Sequence, residues 1–157
     1  MRRSTAFFLL VSACWVLLLY RQVIGAPFLY DDVAQIPQNA QLTSWSGIAG
    51  YFLHAVPFNK DYRNIGGAFY RPLFWASLAF DRVLWGLNPT AFHLTNLLLH
   101  WINGVLAFVL LRRLGMQALP SSASVMIWLG LPINTEAVAW ISGRSVVLMT
   151  FFILAGL

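Results

Sequence analysis

Two adjacent carboxylates, Asp31 and Asp32, sit in the stretch A-P-F-L-Y-D-D-V-A-Q-I-P-Q-N from Ala26 to Asn39, directly after an apolar run long enough to enter a membrane. They are two of only five acidic residues in the chain. Acids beside a bilayer are expensive to keep and mark function by default. A carboxylate here could take the proton of a hydroxyl nucleophile, or support positive charge developing at a sugar carbon. Equally, one aspartate could cap the turn before Val33 to Ile36 while the other is solvated among headgroups. Spacing leaves the two readings level.

Arg71, in Tyr70-Arg71-Pro72-Leu73, and Arg144, in Ser142-Gly143-Arg144-Ser145, have the planar fork that neutralises a lipid phosphate leaving group. Either could instead snorkel to the interface. Glu136 could complete a carboxylate set or contact an acceptor, or be a first-turn acid favoured by the helix dipole. His93, Asn96, His100 and Asn103 share one helix face. Interhelical hydrogen bonding explains that stripe better than a metal does, with His93 at the outer end helping to shape a pocket.

The elements that must position these groups are set by an unusual composition. Of 157 residues, 59% are hydrophobic and only 10% charged, and the mean hydropathy is +0.70. Soluble domains carry roughly 25% charged residues, so lipid is the expected solvent. The net charge of +5 forms no basic stripe, which excludes nucleic acid as a partner and fits arginines facing headgroups. A single cysteine, Cys14, excludes an internal disulfide and a cysteine-based metal site. Asn88-Pro89-Thr90 is barred from N-glycosylation by its proline.

The pattern predicts an all-α, polytopic membrane protein. A first span is expected over 5–25, behind Arg2 and Arg3. Val11-Ser12-Ala13-Cys14 looks like a lipoprotein cleavage box, but the apolar run continues past it and further spans follow, so an uncleaved anchor is expected. Residues 26–90 form a long extracytoplasmic loop with amphipathic helices at about 43–54 and 71–87 and a loop from Asn59 to Gly67. Spans follow over 91–111, 118–133 and, incompletely, 144–157, with an outer connection over 134–143 in which Thr135 caps a restarting helix that runs on through Trp140 to Arg144 into the last apolar segment. Residues 71–87 are apolar enough to be taken for a span. Laying them flat keeps Arg2, Arg3, Arg112 and Arg113 on the cytoplasmic side, and puts Glu136 and Arg144 on the same outer face as Asp31 and Asp32. The chain stops inside the apolar run ending at Leu157, and is expected to be the N-terminal piece of something longer.

Four blocks, F-L-Y-D-D, Y-R-P-L-F, G-L-N-P-T-A-F-H-L-T-N-L-L-L-H and L-P-I-N-T-E-A-V-A-W-I-S-G-R, occur in that order. Together they resemble the N-terminal membrane region of transmembrane-and-tetratricopeptide-repeat proteins and their bacterial relatives. Those are similar to protein O-mannosyltransferases, within the GT-C class of multispanning glycosyltransferases. The resemblance implies transfer of a mannose-like hexose from a polyprenyl-phosphate donor to a Ser or Thr hydroxyl of a protein, or to a glycan acceptor, on the extracytoplasmic face. It implies catalytic Asp31 and Asp32, with Asp31 as base, and donor-phosphate or pocket roles for Arg71, Glu136 and Arg144; His93 joins the pocket by its place at the outer end of the stripe, and no metal ligand and no cofactor are assigned. The family's His-Pro-Ile-His is Leu131-Pro132-Ile133-Asn134 here, so no imidazole chemistry carries over to that loop. A flippase-like handler of polyprenyl-linked glycans and a non-enzymatic assembly subunit are the competing readings. Residues 1–157 alone are expected to be inactive, and a bacterial inner membrane is expected in preference to the endoplasmic reticulum.

Overall fold

The structure is a computed structural model, and it describes residues 2–39, 42, 45–54, 56–57 and 68–157. Its helices are α1 (Arg2–Leu19), α2 (Asp31–Gln35), α3 (Trp45–Leu53), α4 (Pro72–Trp85), α5 (Pro89–Arg113), α6 (Ala118–Gly130), α7 (Asn134–Ala139) and α8 (Arg144–Gly156), with a 3-10 turn at Ile141–Gly143. Two short strands, β1 (Val56–Pro57) and β2 (Ala68–Phe69), pair antiparallel. The expected loop from Asn59 to Gly67 and the first two residues, 43 and 44, of the amphipathic helix expected at about 43–54 lie outside the described residues.

Helix α5 is the axis of the fold and packs against α1, α4, α6, α7 and α8. Its limits follow from local chemistry. The Asn88 side chain accepts a hydrogen bond from the Thr90 amide at 3.1 Å, Pro89 occupies the first turn, and Arg112 and Arg113 complement the dipole at the other end. At 25 residues it is about 37 Å long, more than the roughly 30 Å of a hydrocarbon core. Among the described residues it is the one helix long and apolar enough to cross by itself. Helices α6 and α8 have 13 residues each, about 20 Å, and are shorter than the segments expected from hydropathy.

Two apolar cores are stacked along α5. One joins α1, α5, α6 and α8 through Phe8, Val16, Leu97, Phe108, Leu129 and Val147, with the Phe8 and Phe108 rings stacked at 4.2 Å. The other joins α2, α3, α4 and the 3-10 turn to the first turn of α5 through Ile36, Tyr51, Trp75, Leu78, Phe92 and Ile141. Helix α4 therefore buries Phe74, Trp75, Leu78 and Ala79 and leaves Leu73, Phe80, Leu84 and Trp85 exposed.

The polar stripe of α5 is buried between helices. The Asn96 amide donates to the Val138 and Trp140 carbonyls at 3.3 and 3.2 Å. His100 Nε2 lies 3.2 Å from the Leu129 carbonyl, and the Asn103 amide donates to the Val147 carbonyl at 2.9 Å. Leu129 and Val138 stand in the last turns of α6 and α7, where carbonyls have no partner within their own helix. The Trp140 carbonyl also accepts the Gly143 amide at 3.0 Å, and Val147 lies inside α8.

Two expectations for this region are corrected. Thr135 does not cap the restarting helix: α7 begins one residue earlier, and its N-cap position, Ile133, gives no side-chain bond. The connection after Pro132 stays turned, with the Asn134 and Thr135 amides donating to the Leu131 and Pro132 carbonyls at 3.0 Å, so the helical turn is already under way. The Asn134 side chain instead reaches back to the Trp128 carbonyl at 2.5 Å. Nor is the helix continuous into the last apolar segment, because Trp140 is extended and breaks it.

Candidate functional site

Asp31 and Asp32 open α2, behind a strained residue. Tyr30 has φ +48°, a region that a bulky L-residue enters only when its surroundings hold it there. Asp31 is half-buried. Asp32 is 1% exposed and its carboxylate is fully engaged. Oδ1 accepts the Ser142 amide at 2.8 Å and the Ser142 hydroxyl at 2.6 Å, and Oδ2 accepts the Leu29 amide at 3.3 Å. The first acidic residue faces open space and the second ties the start of α2 to the 3-10 turn.

That open space is a cavity of about 500 Å³ bordered by Asp31, Arg71, Glu136, Trp140, Ser142 and Ser145 among others. Arg71 reaches it from the N-terminus of α4; Glu136 reaches it from the first turn of α7. Both are exposed. An apolar groove of about 440 Å³ shares Arg71 with the cavity and runs between α4 and α8 past Leu73, Val146, Met149 and Phe152. A further cavity of about 700 Å³ also borders Asp31, Glu136 and Trp140, and adds Asp32, His93 and Tyr30. His93, buried, belongs to that wall and not to the cavity holding Arg71. Gly143 lines the smaller cavity, where a Cβ would come within 2.8 Å of the Ala137 carbonyl and 2.9 Å of the Glu136 carbonyl. The 3-10 turn can press against α7 because this residue has no side chain.

Arg144 stands elsewhere than its expected role requires. It is 0% exposed, with Nη1 2.7 Å from Asp81 Oδ2. Nε donates to Asn96 Oδ1 at 2.6 Å, Nη1 to the Ser77 carbonyl at 3.2 Å and Nη2 to the Phe92 carbonyl at 3.0 Å. The Thr95 hydroxyl donates to the other Asp81 oxygen at 2.9 Å. Burial pushes the Asp81 carboxyl above the usual carboxylate range, opposed by the Arg144 guanidinium and by hydrogen bonds from Arg144 and Thr95. A fork so occupied braces the junction of α4, α5 and α8 and has little left for a phosphate.

Asp81 and Ser142 are the residues that the sequence reading missed. Asp81 carried a signal, being an acid inside an apolar helix whose burial demands a cation. Ser142 carried none. Among the described residues, no three His, Cys, Asp or Glu side chains form a group that could hold a metal.

Over 157 aligned residues the chain is 34% identical to protein O-mannosyl-transferase TMTC2 of Mus musculus, covering 94% of this chain and 18% of that protein. The TMTC2 protein of Homo sapiens matches to the same extent. Protein O-mannosyl-transferase TMTC3 of Mus musculus is 28% identical over 148 residues, covering 92% of this chain and 15% of the relative. The chain thus spans less than a fifth of the length of these relatives. No family model and no solved structure matches.

Proposed function

The chain is a homologue of the TMTC family of protein O-mannosyl-transferases, and from that premise we propose that it supplies the catalytic wall of a glycosyltransferase. The reaction moves a mannose-like hexose from a polyprenyl-phosphate donor to a Ser or Thr hydroxyl of a protein. The observation that carries this reading is the pairing of an acid and a cation, Asp31 and Arg71, on one cavity of about 500 Å³, with an apolar groove leading away from the cation.

The acceptor hydroxyl gives its proton to Asp31, and its oxygen attacks the anomeric carbon of the sugar. The new C–O bond forms as the bond from that carbon to the phosphate oxygen breaks. The electron pair stays on the phosphate, which leaves as polyprenyl phosphate with inversion at the sugar. Arg71 faces the charge that develops on the leaving group, in a site where fixed counter-charge is the main source of acceleration. The isoprenoid tail follows the groove between α4 and α8, and Glu136 contacts the acceptor. Arg144 is assigned to the frame of the site and His93 to the wall of the larger cavity. In assays of the full-length protein with a polyprenyl-phosphate mannose donor and a Ser/Thr peptide, Arg71→Ala should cut kcat/KM by about 100-fold, as loss of one transition-state charge contact does. Unchanged turnover in that variant would remove Arg71 from the reaction.

The proposed setting is a multi-pass membrane domain with spans at 5–25, 91–111, 118–133 and 144–157, and with α4 lying on the outer surface, its apolar exposed side toward lipid. Convergence of Asp31, Arg71 and Glu136 on one cavity supports a shared face. The relatives named above come from mouse and human, and give a bacterial inner membrane no support over the endoplasmic reticulum. Single cysteines at Asp31, Arg112 and Glu136, in a Cys14→Ser background, check the arrangement with a membrane-impermeant thiol reagent. Positions 31 and 136 should label from one side and 112 from the other. Labelling of 112 and 136 from opposite sides in the reverse sense, with 136 alongside the N-terminus, would mean that α4 crosses.

A further inference from the structure

The two aspartates are neighbours in sequence with different surroundings. Asp31 borders both cavities. Asp32 is buried, and two of its three hydrogen bonds come from Ser142, 110 positions away. A helix-capping acid bonds the amides of its own first turn, whereas this one fastens α2 to a distant turn.

Resting on the glycosyltransferase reading above, we propose that Asp32 and Ser142 form a positioning clamp that aims Asp31 and that Asp32 is no second reacting acid. Left-handed Tyr30 immediately precedes the pair, and Tyr30 is 85% exposed, so packing of its own side chain does little to hold that conformation. The bonds from Ser142 and from the Leu29 amide to the Asp32 carboxylate hold the turn on both sides of Tyr30. They thereby fix the direction in which Asp31 enters the cavity. The same bonds couple Asp31 to Ser142 and Gly143, which line the same cavity. Release of the clamp would leave the base present and badly aimed.

The test uses the full-length protein, with steady-state kinetics on a polyprenyl-phosphate mannose and a Ser/Thr peptide. Removing the hydroxyl in Ser142→Ala should lower kcat about tenfold, and Asp32→Ala about 100-fold, the scale of an ångström of misplacement. Donor KM should move by less than about threefold in both, since neither residue is assigned to donor binding. Asp32→Asn retains an acceptor oxygen for Ser142 and should recover activity to within about tenfold of the parent, which replacement of a reacting base would not allow. The Asp32→Ala and Ser142→Ala double variant should be no worse than Asp32→Ala alone, because both break one linkage. Unchanged kcat in Ser142→Ala, beside an inactive Asp31→Asn, would overturn the clamp alone. Asp32→Asn as inactive as Asp32→Ala would make Asp32 a reacting acid. Full activity in Asp31→Asn would overturn the base assignment and the clamp with it.

Discussion

Replacing Arg144 by methionine should destabilise the folded domain by about 3–5 kcal/mol, the usual cost of removing one member of a buried ion pair. Methionine fills similar space, so the loss comes mainly from charge and hydrogen bonding. The Asp81 carboxylate, 1% exposed, would keep only the Thr95 hydroxyl as a partner. The Asn96 carbonyl oxygen and the Ser77 and Phe92 carbonyls would lose the donors they now have. Against a typical total of about 5–15 kcal/mol, that is enough to deplete the folded protein. Arg144→Lys keeps the charge without the fork and should be intermediate. Asp81→Asn added to Arg144→Met should recover part of the loss, because no buried charge is then stranded.

The same variant has a signed pH dependence. Burial already raises the Asp81 carboxyl, and Arg144 is the chief force opposing it. Without Arg144 the folded-state value rises further above that of the unfolded chain. The native state then holds a proton that the unfolded chain has released. This contribution is favourable below the unfolded value and lost as pH rises through the folded one. Thermal unfolding of the detergent-solubilised variant should therefore give a higher midpoint at about pH 5 than at about pH 8, with a smaller difference in the parent. A midpoint that rises with pH would contradict the assigned role of Asp81.

Much of the bundle was legible in sequence because its signals are local. Asn88-Pro89 and Arg112-Arg113 delimit α5 by capping and dipole chemistry. The 93, 96, 100, 103 spacing needs only the helical period to read as an interhelical stripe. What it bonds to was not legible, since the acceptors are backbone carbonyls of residues 29 to 44 positions away, two of them, Leu129 and Val138, freed where neighbouring helices end. Arg144 shows the same limit at a sharper point. A lone arginine after Ser142-Gly143 fits a phosphate contact as well as a structural one until its acid is found, and Asp81 lies 63 positions earlier. No period links them. Asp31 and Arg71 converge on one cavity that hydropathy could anticipate only as a shared membrane face. The inequality of the two aspartates was invisible, because the burial of Asp32 and its bonds from Ser142 depend on a turn 110 positions away.

Asp31→Asn should lower kcat by about 10²–10⁴-fold, the contribution of a positioned general base, with little change in fold or donor binding. Asparagine matches the carboxylate in shape, and Asp31 is half-buried at the meeting of two cavities, so no buried charge is stranded by the change. Arg71 and the α4–α8 groove, which are assigned to the donor, are untouched. Binding of a radiolabelled polyprenyl-phosphate mannose should therefore persist while transfer to peptide collapses. That separation distinguishes chemistry from the competing readings. A flippase-like protein would use Asp31 for passage, so the substitution would change translocation of the lipid across a proteoliposome, and no transfer would be seen in the parent. An assembly subunit would tolerate the substitution in both assays. Glu136→Gln is the internal contrast: Glu136 borders the same two cavities but is exposed. Its loss should weaken acceptor KM by roughly tenfold or less, an exposed contact counting for little in high dielectric, and leave kcat near the parent value. Equal collapse of kcat in both variants would mean that the base cannot be assigned to Asp31 on position alone, since transfer would then require both acids.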